Sequence, residues 1–345
     1  MPILGYIHTN PQPLHIAETR MSAQITLNAK NLTRRLGRRE VIRNISLTLK
    51  RGEVLGLLGH NGAGKTTTMQ LLAGVLIPHA GTIEICGHDL ALEPKLAKAC
   101  IGYLPETPPL YRDMSVDDYL IYAAKLHGMA RNTIADALLE AKQRCGLQDA
   151  GRKIIGTLSK GYQQRVGISQ AIIHHPDVII LDEPTVGLDP TQIRDIRTLI
   201  RDLGNTLSVI LSTHLLSEVE NICDRVEILQ RGQMIYGDTS VRMQSLGHQA
   251  GFVVTLQTPP DAKALYQITG VINVEQLSAN RFKILHTVDA STAEALLARA
   301  AQEGWHAQQL TPIQGNLEDA FVHITQTQQT LPPLSQDTDQ QETQA

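Results

Sequence analysis

The chain has 345 residues, 42% of them apolar, and a formal net charge of −3. That length holds a large α/β domain with a smaller companion, and the charge leaves no basic footprint for nucleic acid, so no nucleic-acid partner is expected. Four cysteines stand apart with no C-x-x-C pair, as suits reduced thiols, and no apolar run approaches the roughly 20 residues that span a bilayer.

Residues 1–22 carry Pro2, Pro11 and Pro13 and no periodic apolar face. They read as a disordered leader without the basic start and apolar centre of a signal peptide. Met21-Ser22 directly precedes the first predicted strand, which makes Met21 a second candidate start. From 23 to about 100 the pattern is β-rich, with turns at Arg51-Gly52 and Pro78-His79-Ala80-Gly81. Within it, Val54-Leu55-Gly56-Leu57-Leu58 reads as a buried strand and Thr67 to Ala73 as the first turns of a helix. Between them Gly59, His60, Asn61, Gly62, Ala63, Gly64, Lys65, Thr66 and Thr67 fit G-x-x-x-x-G-K-[ST]. Glycines let such a loop turn its N–H groups inward, and the helix adds its positive end, which together cradle a triphosphate. Lys65 is then the counter-charge for the β- and γ-phosphates and the Thr66 hydroxyl a ligand for Mg²⁺.

Pro105, Pro108 and Pro109 break the chain before a helical stretch of about 107–170, where Ser115-Val116-Asp117-Asp118 forms a capping box. Its apolar positions at Tyr119, Leu120, Tyr122, Ala123 and Leu126 are read mainly as a buried helix face. Ser159 is the predicted N-cap of a helix that follows, and Gly161 permits close approach, the elements of an anion site. Val178 to Leu181 is a second buried strand closed by Asp182, Glu183 and Pro184. Asp182 at the strand tip is placed to hold Mg²⁺ through a water, whereas Glu183 points elsewhere and is placed to deprotonate an attacking water. Asp189 follows, and after the strand Ser208 to Leu211 comes His214, which stands beside the phosphate loop if the strands share one parallel sheet. A hairpin at Val226–Leu229 and Met234–Tyr236 completes the large domain at about residue 245.

These motifs, in this order, resemble the nucleotide-binding subunit of an ABC transporter over roughly residues 23–240. The resemblance implies a P-loop ABC-type ATPase domain over 23–245, with an antiparallel β subdomain and the 107–170 segment as its helical insert. It gives Gly59–Thr67 the phosphate loop, Asp182 and Glu183 the acidic motif, Ser159 and Gly161 the signature motif, Asp189 the D-loop and His214 the γ-phosphate switch. It further implies two ATPase subunits packed head-to-tail, two copies of this chain or this chain with a paralogue. Each ATP is then held between the Lys65 loop of one and the Ser159 helix of the other, and a separate polytopic permease docks on the insert at the cytoplasmic face of the membrane. Glu106, Ser159-Lys160-Gly161-Tyr162 in place of S-G-G-Q, and Leu317-Glu318-Asp319-Ala320-Phe321 are similar to the ABC-2 exporter branch, including multidrug and gliding-motility-associated members.

Two departures carry expectations of their own. Leu36 occupies the slot where the family stacks an aromatic on adenine, and no Phe, Tyr or Trp lies between Tyr6 and Tyr103. Leu36 packing with an arginine stack predicts weak base selectivity. Glu106 replaces a common glutamine, adding a negative charge at the metal side of the site. Soluble relatives of this family act in translation or on DNA; they carry two phosphate loops or a long coiled coil. Here there is one loop, and about 115 residues with no sustained heptad separate it from the acids. Past 250 the order β-α-β-β-α-β suggests a small ferredoxin-like α+β domain to about 325, and the Gln-, Thr- and Pro-rich 326–345 reads as a disordered tail.

Overall fold

The computed structural model describes residues 24–246, 251–287, 291–313 and 317–327. The expected leader, and the expected tail beyond Thr327, lie outside these residues. The chain opens on a long hairpin, β1 (Ile25–Leu36) and β2 (Arg39–Lys50), turned at Gly37, whose φ of 59° lies in the left-handed region. β3 (Val54–Leu58) leads through the glycine loop into α1 (Lys65–Leu72), followed by β4 (Ala80–Ile85), β5 (His88–Asp89), α2 (Pro94–Ala99) and β6 (Ile101–Leu104). Three helices come next: α3 (Val116–Leu126), α4 (Ile134–Cys145) and α5 (Lys160–Ile172). The sheet resumes with β7 (Val178–Asp182), α6 (Pro190–Gly204), β8 (Ser208–Thr213), α7 (Leu216–Ile222), the hairpin β9 (Arg225–Gln230) and β10 (Gln233–Thr239), and α8 (Ser240–Leu246).

Two sheets result. β2-β1-β4-β5 is antiparallel, and β10-β9-β3-β8-β7-β6 is parallel except for its β10 edge. The central strands VLGLL, VIILD and SVILST are buried along their whole length, as a sheet covered on both faces demands. Alternation assigns the faces. Leu55, Leu57, Val178 and Ile180 pack with the antiparallel sheet and α1, whereas Val54, Leu58, Ile179 and Leu181 pack with the three-helix stretch and α6. Gly102 brings α5 close to β6, since a Cβ there would lie 2.0 Å from the Ala171 carbonyl oxygen.

Residues 251–313 build a third sheet from β11 (Gly251–Leu256), β12 (Val271–Ser278), β13 (Arg281–His286) and β14 (Ala307–Pro312), with α9 (Ala262–Tyr266) and α10 (Thr292–Gln302). The strand order is β12-β13-β11-β14 and every neighbouring pair is antiparallel. Its own core centres on Phe252, Val254, Phe282, Leu296 and Trp305. The last helix, α11 (Leu317–Thr327), leaves this unit. Leu317, Ala320 and Phe321, at helical spacing, join the core of the large domain, and α11 lies against α7, α8 and β10. Sequence order alone groups α11 with the 250–325 unit; its apolar stripe is buried with the large domain instead.

Candidate functional site

The phosphate loop lies where β3 ends and α1 begins. Two of its glycines are dictated by space. A Cβ on Gly59 would stand 2.5 Å from the Leu229 carbonyl oxygen, and Gly64 holds a φ of 111° with Ile42 Cδ1 only 2.9 Å from the site of a Cβ. The first amides of α1 have no partner within the helix and so face the loop's concavity. Lys65 is buried, donates to the Gly59 carbonyl at 2.8 Å, and pairs with Glu183 Oε1 at 3.1 Å.

Asp182 closes β7 and is wholly buried. Its Oδ1 accepts from Ser212 Oγ at 2.5 Å and from Thr66 Oγ1 at 3.4 Å, while its Oδ2 has no hydrogen-bond partner among the described residues. Burial holds the Asp182 pKa above the ordinary value; the Ser212 and Thr66 hydroxyls oppose that shift, and the Glu183 charge adds to it. A buried carboxylate oxygen without a donor, beside a threonine hydroxyl, is a hard oxygen set that suits Mg²⁺.

Glu183 turns out of the strand with φ 47°, a conformation uncommon for a residue with a side chain. Its N–H donates to Ser212 Oγ at 2.9 Å, and its Oε2 lies 2.8 Å from His214 Nδ1. One serine thus fixes both acids. Sequence reasoning missed Ser212 because it reads as one more residue of a buried strand. The signal is the register of β7 beside β8, which sets Asp182 opposite Ser212.

A cavity of about 820 Å³ opens over this cluster and is lined by Lys65, Thr66, Thr67, Glu106, Glu183 and His214, with the loop residues Asn61, Gly62 and Gly64. Arg231, unforeseen in the sequence, also lines it. Leu36 does not. It sits at the hairpin end paired with Arg39, about half exposed, and the wall is formed instead by Arg39, Glu40, Val41 and Arg43 of β2. The strand that returns from the Gly37 turn supplies the surface. His60 and Ala63 face the opposite side of the loop, where the His60 ring meets Phe321 of α11 edge-on, with centroids 5.1 Å apart.

Ser159 and Gly161 line a separate pocket of about 160 Å³ with Tyr162 and Gln192, and none of these four lines the large cavity. Ser159 caps α5 through the Tyr162 N–H, and Asp189 caps α6 through the N–H groups of Thr191 and Gln192.

A glycine cradle at a helix start, a buried lysine, and an acid pair at the end of the next strand but one of a parallel sheet define a P-loop nucleoside triphosphatase. Residues 42–186 match the family model described as ABC transporter. Over 306 residues the chain is 32% identical to the linearmycin resistance ATP-binding protein LnrL of Bacillus subtilis, covering 87% of this chain and 98% of that one. It is 30% identical over 301 residues to the bacitracin transport ATP-binding protein BcrA of Bacillus licheniformis, covering 86% and 96%. Among solved structures, cbiO1 of Clostridium perfringens, part of the ABC transporter complex cbiONQ, matches with a TM-score of 0.59 at 27% identity, over 64% of this chain and 91% of that one. The chain belongs to the ATP-binding subunits of ABC transporters. It is therefore an ATPase whose hydrolysis powers transport through a separate membrane partner. No helix among the described residues is long and apolar enough to cross a membrane.

Proposed function

We propose that this subunit drives export through a polytopic permease, working at the cytoplasmic face of the membrane in a head-to-tail pair of ATPase subunits. Export is supported by the names of two relatives, one a resistance protein and one a bacitracin transport protein; resistance is met by moving a compound out. The paired arrangement is supported by the division of polar groups into two pockets of one chain, with Lys65 and the acids in one and Ser159 and Gly161 in the other. A second subunit presenting its Ser159 helix end to the first subunit's cavity supplies the donors that one chain lacks.

The observation that carries the mechanism is the chain of contacts Lys65–Glu183–His214 across the cavity. Glu183 meets the Lys65 ammonium on one side and the His214 ring on the other, and is held for proton acceptance from a water. A γ-phosphate entering the cavity competes for Lys65 and His214 and releases the carboxylate to act as base. The loop amides and Lys65 stabilise charge on the transferred group. Thr66 and Asp182 would hold Mg²⁺, which when bound neutralises phosphate oxygens. Asp189 orders the start of α6, and Val41 with Arg39 and Arg43 forms the wall for the base. Glu106, on the cavity wall outside the β7 acids, sets turnover in response to the permease. Glu106→Gln is expected to change permease-stimulated turnover; unchanged stimulation and unchanged Mg²⁺ dependence would remove that role.

Affinity purification of the tagged protein from gently solubilised native membranes tests the whole reading. A polytopic membrane protein in stoichiometric amount is the expected result. Recovery from the soluble fraction alone, with ribosomes, nucleic acid or nothing, would overturn the transport role and leave the ATPase.

A further inference from the structure

Away from the nucleotide cavity, three side chains from three elements converge. Cys86, Cys100 and Asp177 present two sulfurs and a carboxylate oxygen that all lie within 4.8 Å of one another, and no other group of three such ligands forms among the described residues. Cys86 follows β4 with φ 49°, in a turn with Gly87 at φ 85° that returns the chain into β5. Cys100 caps the end of α2, and its carbonyl accepts from the N–H groups of both Asp177 and Val178, so the backbone ties two of the three ligands together. Asp177 stands directly before β7. Arg51 holds its Oδ1 at 2.8 Å, which orients the carboxylate while its remaining lone pairs stay available. All three residues are half-buried, open enough for an ion to enter. Both thiols are free.

We propose that Cys86, Cys100 and Asp177 form a binding site for a thiophilic divalent cation of the zinc class. Two sulfurs exclude Mg²⁺ and Ca²⁺, which take oxygen ligands, and favour Zn²⁺, which accepts two thiolates and a carboxylate with water in the fourth position. The site is separate from that of Asp182. The two acids stand at opposite ends of β7, about 16 Å apart at 3.3 Å per residue. An ion held here links the antiparallel sheet, α2 and the entry to β7 at the end of the parallel sheet remote from the nucleotide.

The remaining cysteines make the test clean. Cys145 and Cys223 are buried in the core, so thiolate ligation reports on Cys86 and Cys100 alone. The reduced full-length protein is titrated with Co²⁺ in the absence of air and nucleotide. One equivalent is expected to give a thiolate-to-cobalt charge-transfer band that Zn²⁺ abolishes; binding at scattered histidines gives no such band. Cys86→Ser and Cys100→Ser each remove the band or weaken binding at least about tenfold, and Asp177→Asn weakens binding while keeping it. In the unmodified protein, Zn²⁺ is expected to shield Cys86 and Cys100 from alkylation, read by mass spectrometry, so the outcome stands even if a variant fails to fold. Absence of the band, a band that persists with undiminished affinity in both serine variants, or equal alkylation with and without Zn²⁺ overturns the site.

Discussion

Ser212→Ala removes one oxygen and two hydrogen bonds that hold Asp182 and Glu183. The Glu183 N–H, which donates to Ser212 Oγ at 2.9 Å, is left buried without an acceptor, at about 1–3 kcal/mol. Asp182 loses its 2.5 Å donor and keeps only Thr66 at 3.4 Å; a bond to a charged group contributes about 1.5–3 kcal/mol. Together the loss is about 2.5–6 kcal/mol, a large share of the 5–15 kcal/mol typical of a domain. At about 2–4 °C per kcal/mol, calorimetry should show Tm falling by about 5–24 °C. Ser208→Ala, in the same strand but bonded only to the Gly52 N–H at 3.3 Å, is the control and should cost about 1 kcal/mol. With the Asp182 carboxylate less well held, the Mg²⁺ concentration for half-maximal ATPase should rise about tenfold or more. A Tm within about 2 °C of the unmodified protein, with the Mg²⁺ requirement unchanged, refutes the claim that one hydroxyl positions both acids.

Glu183→Gln keeps shape and backbone but not basicity. It should bind ATP while turning over about 10²–10⁴-fold more slowly, and near-normal steady-state turnover would remove Glu183 as the base. Lys65→Ala should weaken ATP binding itself, measured by equilibrium titration, since Lys65 is the buried cation of the glycine loop and the proposed counter-charge for the phosphates. His174 stacks on His127 with centroids 3.7 Å apart, and burial, with the His127 charge, pushes it down from 6.5 to about 4. A native pKa below the unfolded one means that its stability contribution is complete above about pH 6.5 and is lost as pH falls towards 4, by up to about 3 kcal/mol. Denaturant titrations across that window should show a shallower slope for His174→Gln, and an identical slope would contradict the assignment. Phe321→Ala should cost about 3 kcal/mol of stability and lower ATP affinity by freeing His60, tested by calorimetry and nucleotide titration; unchanged values for both would detach α11 from the phosphate loop.

The site was legible wherever function forces a local pattern. Gly64, Lys65 and Thr66 are contiguous because a cradle must be built from successive amides, and Asp182 and Glu183 announce themselves as charges set against four buried apolar residues. Ser212 was not legible. Its role exists only through the adjacency of β7 and β8, and no periodicity within Ser208–Thr213 separates a structural serine from one that bonds two acids. Leu36 shows a different loss. Which strand of the β1–β2 hairpin walls the cavity depends on how the hairpin folds over β3, and nothing within either strand records that. The destination of α11 was hidden for the same reason. An amphipathic helix declares that it has a buried face and is silent about which of two nearby cores receives it.

That destination has a consequence for how the third sheet is carried. Because α8 and α11 lie side by side in the cassette, the polypeptide leaves it and re-enters it at neighbouring points. Residues 251–313 are therefore a two-anchored graft and not a pendant tail. A unit held at both ends surrenders most of the wandering that a single tether allows, and its removal need open only a small gap in the chain. The graft can be enlarged, trimmed or exchanged while the helix behind the phosphate loop keeps its seat.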